Sequence, residues 1–363
     1  MNKLRLLIYL LILFPAVITI NLPYEGSDEL RIFGAPPFFL ITLIFTILFS
    51  IKSKITKSLI NYKSPFFWFI IYINVTTLLI NPSGLIYSLS WMINYLIYRY
   101  YATNNNSFKL KKKDFIIIIS LLIIIGSYRL ITGLDTDGNP FALINRNATS
   151  TIIVFLFVYY KSLFQKFDFV DLLFIVLLVL NGSRSSLLAI VAYYFILYFK
   201  NVKLKQLIVF TGLIVFSYSI LSYSNLAVQR FNAGTNFFKQ LTSKEVEKVG
   251  DYERVLLIRA GLQIFQENIF FGVGEGVKKY QEEFNRIVIG YSRDSRAHNF
   301  FVSRLANFGI IGFLLYLFGY YFELKSKKNF FLISASFAIV FFFNEYVLLP
   351  HIFLLTGLMP TKQ

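Results

Sequence analysis

Cysteine is absent from the 363 residues, and acidic residues are scarce, at 19 against 36 lysines and arginines. The absence of cysteine excludes disulfide bonds and thiol chemistry. No glycine-rich phosphate loop is present either, which argues against a nucleotide triphosphate ligand. Asp135 and Asp137 lack the other ligands of a calcium-binding EF-hand, so we expect neither a metal nor a cofactor. No two carboxylates lie close together in an apolar segment, which argues against a proton-coupled transporter.

Apolar residues fill much of the remaining sequence. They make up 56% of it, phenylalanine and tyrosine number 42 and 24, and the mean hydropathy is +0.61. No soluble core needs so much apolar surface, and these values are typical of a polytopic membrane protein. We therefore expect an all-α integral membrane protein with about 11–12 transmembrane helices, some tilted, broken or re-entrant because their apolar runs are short. The runs cover residues 5–21, 35–51, 65–81, 84–101, 115–132, 150–164, 169–181, 186–199, 206–222, 300–322, 329–344 and 346–360.

Lysine and arginine predict how these helices are oriented. Basic clusters follow the even-numbered apolar runs, at residues 52–63, 99–113, 161–166, 200–205 and 325–328. Under the positive-inside rule, both termini and all these clusters lie in the cytoplasm. The first run is then a helix and not a removable signal, and the net charge of +17 indicates membrane anchoring and an anionic ligand, without nucleic acid as a partner. The loop at 135–150, the turn at 181–186 and the polar segment at 223–299 lie on the opposite side.

The polar segment divides the chain into three predicted parts, with no separable soluble domain. They are a helix bundle at 1–222, a catalytic loop at 223–299 and C-terminal helices at 300–363. The loop contains an amphipathic helix, which we expect to lie along the membrane interface or to cap a cavity. Its predicted apolar face consists of Val255, Ile258, Leu262 and Phe265. Three glycines, Gly272, Gly274 and Gly276, are expected to end this helix in a turn.

Three arginines and a histidine are candidates for binding and chemistry. Arg184 lies at the outer end of a predicted span, where an arginine is costly and usually kept for a partner or ligand, although it could also snorkel to the interface. Arg254 and Arg259 could grip phosphate with their planar forks or form a solvated helix face. His298 carries an imidazole, which titrates near neutral pH and can take a proton from a hydroxyl, but it could also be an interfacial side chain. His351, in an apolar run, is expected to be structural.

These motifs resemble those of the bacterial O-antigen ligases and O-antigen polymerases, a superfamily of polytopic glycosyltransferases. The matching pieces are Asn145-Arg-Asn147-Ala, Gly182-Ser-Arg184-Ser-Ser, the helix opened by Arg254 that ends in Phe271-Gly-Val-Gly-Glu-Gly276, and His298-Asn299 followed by Leu305-Ala-Asn307-Phe-Gly309-Ile-Ile-Gly312. They cover roughly the second half of the chain, and the first half matches only in hydropathy. The sequence departs from the family at Asn307, where the family often has glutamate, and in the aromatic run Asn299-Phe-Phe.

The resemblance implies a metal-independent enzyme of the bacterial inner membrane that takes glycan from an undecaprenyl-pyrophosphate carrier on the periplasmic face. By this resemblance Arg184 and Arg254 hold the pyrophosphate, and His298 activates the acceptor hydroxyl. The further predicted substrate-binding residues are Arg259, Asn299, Ser183, Ser185, Asn147 and Gly274. Membrane lipid and a chain-length regulator protein are the other expected partners.

Three functions remain open on the sequence. A polymerase would transfer the glycan to another lipid-linked repeat, and a ligase would transfer it to lipid A-core. A flippase or transporter of the lipid-linked sugar would use the same arginines without chemistry. We favour the polymerase, because the chain is modest in length and lacks a longer acceptor-binding insertion.

Overall fold

A computed structural model describes residues 60–103, 109–132, 146–199, 252–288, 299–343 and 350–361, together with residues 44, 141 and 297. Within these residues the chain is helical, which confirms the predicted all-α class. The helices are α1 Pro65–Ile80, α2 Leu85–Thr103, α3 Lys112–Thr132, α4 Arg146–Leu163, α5 Phe169–Leu180, α6 Arg184–Phe199, α7 Tyr252–Glu267, α8 Val277–Ile287, α9 Phe300–Leu324, α10 Phe330–Phe343 and α11 Pro350–Leu358. A 3₁₀ turn, Pro82–Gly84, joins α1 to α2.

The helices follow the predicted apolar runs closely. Two of them, α3 and α9, are long and apolar enough to cross a membrane, and several shorter helices are equally apolar, which is consistent with an integral membrane protein. Apart from residue 44, the predicted runs at 5–21, 35–51 and 206–222 lie outside the described residues, so the number of spans stays a prediction. The predicted loop at 135–150 is too long, because α4 already begins at Arg146.

Local capping explains several of the helix starts. Ser64 precedes α1, its Oγ accepts a hydrogen bond from the amide of Phe66 at 3.2 Å, and a proline follows it. Asp168 and Asp171 form a capping box at the start of α5. Such side chains satisfy amides that have no partner inside the helix. The chain therefore marks where these apolar helices begin.

Helix α9 lies at the centre of the described fold. It packs against α1, α7 and α10, while α11 packs against α2 and α4, and α6 packs against α10. Aromatic rings fill the contact between α1, α2 and α9: Phe69 meets Trp91 edge to face at 5.3 Å and Phe308 at 5.3 Å. This aromatic core fixes the side of α9 that faces α1 and α2.

The C-terminal end of α9 carries its own polar contacts. Arg99 on α2 lies 3.4 Å from Glu323 on α9. Lys327, in the turn after α9, is buried and donates hydrogen bonds to the carbonyls of Gly357 at 3.0 Å and Met359 at 2.9 Å. These contacts tie α2 and α11 to α9 at the end opposite the candidate site.

Candidate functional site

Helix α9 is broken at Gly309, whose backbone has φ 63° and ψ −174°. A break in the middle of an apolar helix leaves carbonyls and amides without their usual partners, and each unsatisfied buried group is costly. The segment 269–276, which follows α7, satisfies most of them. We call this segment the glycine loop.

The glycine loop pairs with α9 backbone to backbone on both sides of the break. The amide of Val273 donates to the carbonyl of Ala306, and the amide of Gly274 to that of Asn307, both at 2.9 Å. In return, the amide of Ile310 donates to the carbonyl of Ile269 at 2.7 Å. The hydroxyl of Tyr72 on α1 donates to the carbonyl of Phe308, also at 2.9 Å. The break in α9 and the glycine loop therefore form one structure.

Positive φ angles explain why the loop needs its glycines. Gly272, Gly274 and Gly276 have φ angles of 68°, 81° and 113°, in a region that L side chains rarely adopt. A Cβ on Gly272 would lie 2.4 Å from the carbonyl carbon of Asn307. The predicted glycine turn is confirmed, and the absence of side chains is what allows the loop to reach the backbone of α9.

Helices α7 and α9 run side by side in the same direction. Near their N-terminal ends, Val255 and Ile258 cluster with Ala297 and Val302. One to two turns further along, Ile264 packs in the same cluster as Ala306. The N-terminal ends of the two helices, and thus the positive ends of their dipoles, consequently lie together.

The predicted apolar face of α7 is only partly right. Val255 and Ile258 are buried, but Leu262 is 37% exposed, and Leu257 and Ile264 are buried in its place. The reason is that α7 is covered from two directions, by α9 and by α8, so its buried surface is wider and differently centred than one helical stripe predicts.

A buried ion pair joins the glycine loop to the half of α9 that precedes the break at Gly309. Nη1 of Arg304 lies 2.7 and 2.8 Å from the two carboxylate oxygens of Glu275, and both side chains are more than nine-tenths buried. The rings of Phe300, Phe308 and Trp91 lie 5.2, 5.4 and 5.5 Å from the guanidinium carbon. Arginine is stabilised over aromatic faces, so the cation has favourable contacts on several sides.

The predicted residues fall into two groups in the structure. Arg254 lies in the first turn of α7, Asn299 directly precedes α9, and Gly274 lies in the glycine loop. All three therefore belong to the part of the structure in which α7 and the glycine loop pack against α9. His298 itself lies outside the described residues, although its neighbours Ala297 and Asn299 are both buried. The Oδ1 of Asn299 accepts a hydrogen bond from the amide of Val302 at 3.1 Å, which makes Asn299 the N-cap of α9.

The second group lies on other helices. Arg184 is the first residue of α6 and Asn147 lies in the first turn of α4, and the structure does not describe either side chain. Ser183 donates a hydrogen bond to Ser186 at 3.0 Å and lies 3.4 Å from Ser185. Helix α6 packs against α4, α5 and α10.

Arg254 and Arg259 do not project from one face of α7. Arg259 lies five positions after Arg254, which corresponds to about 140° around an α-helix. Both are partly buried. The two guanidiniums therefore leave α7 in different directions and do not form a phosphate site on one helical face.

Two residues of the site, Glu275 and Arg304, are not among the residues that the sequence predicts to bind or to react. Glu275 belongs to the glycine motif, and Arg304 lies outside the motifs. The signal was available, because an arginine within a 25-residue apolar helix is costly unless it has a partner. Its partner lies 29 positions earlier in the sequence, too far for helical periodicity to indicate.

Comparison with known families agrees with these motifs. Residues 169–317 match the family model described as O-antigen ligase, a segment that begins at α5 and ends within α9. No curated protein matches the chain. The matched segment contains Arg184, Arg254, the glycine loop and His298. The match supports a likeness to the O-antigen ligase and polymerase superfamily for this segment, which is less than half of the chain.

Proposed function

We propose that the protein is a glycosyltransferase of the bacterial inner membrane that polymerises undecaprenyl-pyrophosphate-linked repeat units on the periplasmic face. The observation that carries this proposal is the parallel packing of α7 on α9. Because Val255 and Ala297 belong to one cluster, Arg254 lies on the segment that contacts the neighbour of His298. The proposed cation and the proposed base then belong to segments that meet at one end of this helix pair.

In this mechanism, an acceptor sugar hydroxyl attacks the anomeric carbon of the lipid-linked glycan. His298 takes the hydroxyl proton while the new carbon–oxygen bond forms and the bond from the anomeric carbon to the pyrophosphate breaks. The electron pair leaves with undecaprenyl pyrophosphate. Arg184 and Arg254 stabilise that leaving group, where negative charge builds up in the transition state, and the N-terminal dipoles of α7 and α9 act in the same sense.

The role of His298 is tested with purified variants and lipid-linked substrate. His298→Ala should lower turnover about 10²- to 10⁴-fold, the usual contribution of a general base, with little change in donor binding. His298→Gln should fail as well, because an amide can hydrogen-bond the acceptor but cannot take its proton. His351→Ala is the matched control and should retain turnover. Substantial turnover by His298→Gln would show that the base is elsewhere.

A ligase is the second candidate, because the matched family model is described as O-antigen ligase. The two activities are separated by lipopolysaccharide gels of a deletion strain. Loss of a polymerase leaves one repeat on the core, whereas loss of a ligase leaves bare core and accumulated lipid-linked polymer. A third arm tests transport: a His298→Ala protein that still moves lipid-linked sugar across the membrane would favour a flippase.

A further inference from the structure

The Glu275–Arg304 pair is not explained by a contribution to the stability of the fold alone. Removing two charges from water costs several kcal/mol per ion, and buried pairs can often be replaced by apolar residues without loss. The pair nevertheless lies within an aromatic core, between Phe300 and Phe308. We therefore consider how the pair fixes the positions of the two segments that it joins.

Glu275 is held rigidly from its backbone. Its amide donates a hydrogen bond to Oγ1 of Thr77 at 3.0 Å, and its carbonyl accepts one from Nδ2 of Asn81 at 2.8 Å. The preceding Gly274 is bonded to the carbonyl of Asn307. The carboxylate thus projects from a loop that is anchored both to the end of α1 and to α9.

Arg304 connects the anchored loop to the part of α9 that lies near His298 in the chain. It lies five residues after Asn299, about 7.5 Å along the helix axis, in the half of α9 before the break at Gly309. The backbone pairing of the glycine loop reaches α9 at Ala306 and beyond. The ion pair is a side-chain link from the loop to α9 that lies six positions after His298 in the chain.

We propose that Glu275 and Arg304 are positioning residues, which fix the half of α9 before the break at Gly309 against the glycine loop and so hold His298 in place relative to Arg254. This inference rests on the proposed function. The guanidinium does not touch the reacting atoms in this proposal; it acts through α9, which begins two residues after the base.

The test compares turnover in the double variant Glu275→Gln/Arg304→Gln with wild type, using purified protein and lipid-linked substrate. Removing both charges avoids an unpaired buried ion, which would be strongly destabilising. We expect kcat to fall about 10²-fold, since a displacement of about 1 Å at a catalytic group can cost that much. KM for the lipid-linked donor should stay within about twofold, because donor binding is left intact.

The matched control is Arg99→Gln/Glu323→Gln, which removes the ion pair at the opposite end of α9 and should leave kcat unchanged. Arg304→Lys keeps a cation within reach of Glu275 and should retain more activity than the double variant. Equal losses in the lysine variant and the double variant would overturn the charge link.

A background lacking the base separates positioning from general damage. If the pair acts through His298, adding Glu275→Gln/Arg304→Gln to His298→Ala should cause no further loss of turnover. Losses that multiply in this background, or a fall that comes through KM, would overturn the inference. A normally active His298→Ala protein would instead refute the proposed base, and an inactive wild-type protein would refute the proposed function.

Discussion

Gly309→Ala is the substitution to which the candidate site should be most sensitive. A Cβ at this position would lie 2.3 Å from both the carbonyl carbon and the carbonyl oxygen of Phe270, and 2.5 Å from the amide nitrogen of Phe271. These are backbone atoms, which cannot rotate away. A strained positive-φ residue costs about 1–3 kcal/mol and overpacking costs a similar amount, so we expect a penalty of roughly 2–6 kcal/mol.

The protein can relieve this strain by releasing the glycine loop. If α9 straightens, its own helical hydrogen bonds replace those to Val273 and Gly274, so undocking should cost less than global unfolding. We therefore predict that Gly309→Ala keeps its helical content but loses glycan transfer. The amides of residues 268–276 should also exchange with deuterium much faster than in wild type.

The matched control is Leu314→Ala, on the same helix, where the side chain is 43% exposed and has no role in the break. It should retain both exchange protection and activity. Wild-type protection of residues 268–276 together with wild-type transfer in Gly309→Ala would refute the interdependence of the break and the loop.

Three further predictions concern charge and topology. Arg184→Lys and Arg254→Lys should each lose most transfer, because an ammonium cannot reproduce the paired hydrogen bonds of a guanidinium to phosphate; normal turnover in both would rule out the clamp. Burial lowers the pKa of Lys327 from 10.5 to about 8, so between these values the unfolded chain binds more protons and the folded state gains stability as pH rises. Lys327→Met should flatten that rise in thermal unfolding curves, and an unchanged slope would contradict it. In this cysteine-free chain, Ser243→Cys should react with a membrane-impermeant thiol reagent in outer-membrane-permeabilised cells, whereas labelling of Ser58→Cys instead would reverse the predicted topology.

Helix positions were largely predictable because their signals are local. An apolar run is visible in a short window, and Ser64 and Asp168 mark helix starts through contacts within three residues. The glycine turn was predictable for the same reason, since Gly272 and Gly274 are required by their own backbone angles. Such local signals do not depend on contacts with distant segments of the chain.

The geometry of the site was not predictable, because it depends on contacts between distant segments. Glycine within an apolar helix is compatible with either a straight or a broken helix, and only the docked loop decides for the break at Gly309. Asn299 also has a structural role that its motif does not indicate. Its Oδ1 accepts a hydrogen bond from the amide of Val302 and caps α9, while its predicted role in substrate binding stays a prediction.

The break in α9 explains how two segments far apart in the sequence can form one site. Arg254 and His298 are separated by the glycine loop and α8, and a flexible connection of that length would leave their separation undefined. Instead, backbone amides of the loop donate hydrogen bonds to the carbonyls of Ala306 and Asn307 in α9. Helix α7 packs along the same half of α9. Helix packing and backbone pairing therefore fix the position of α7, which carries Arg254, relative to α9, which follows His298 in the chain. We conclude that a substitution which loosens the loop should impair transfer as severely as one that removes a charged side chain.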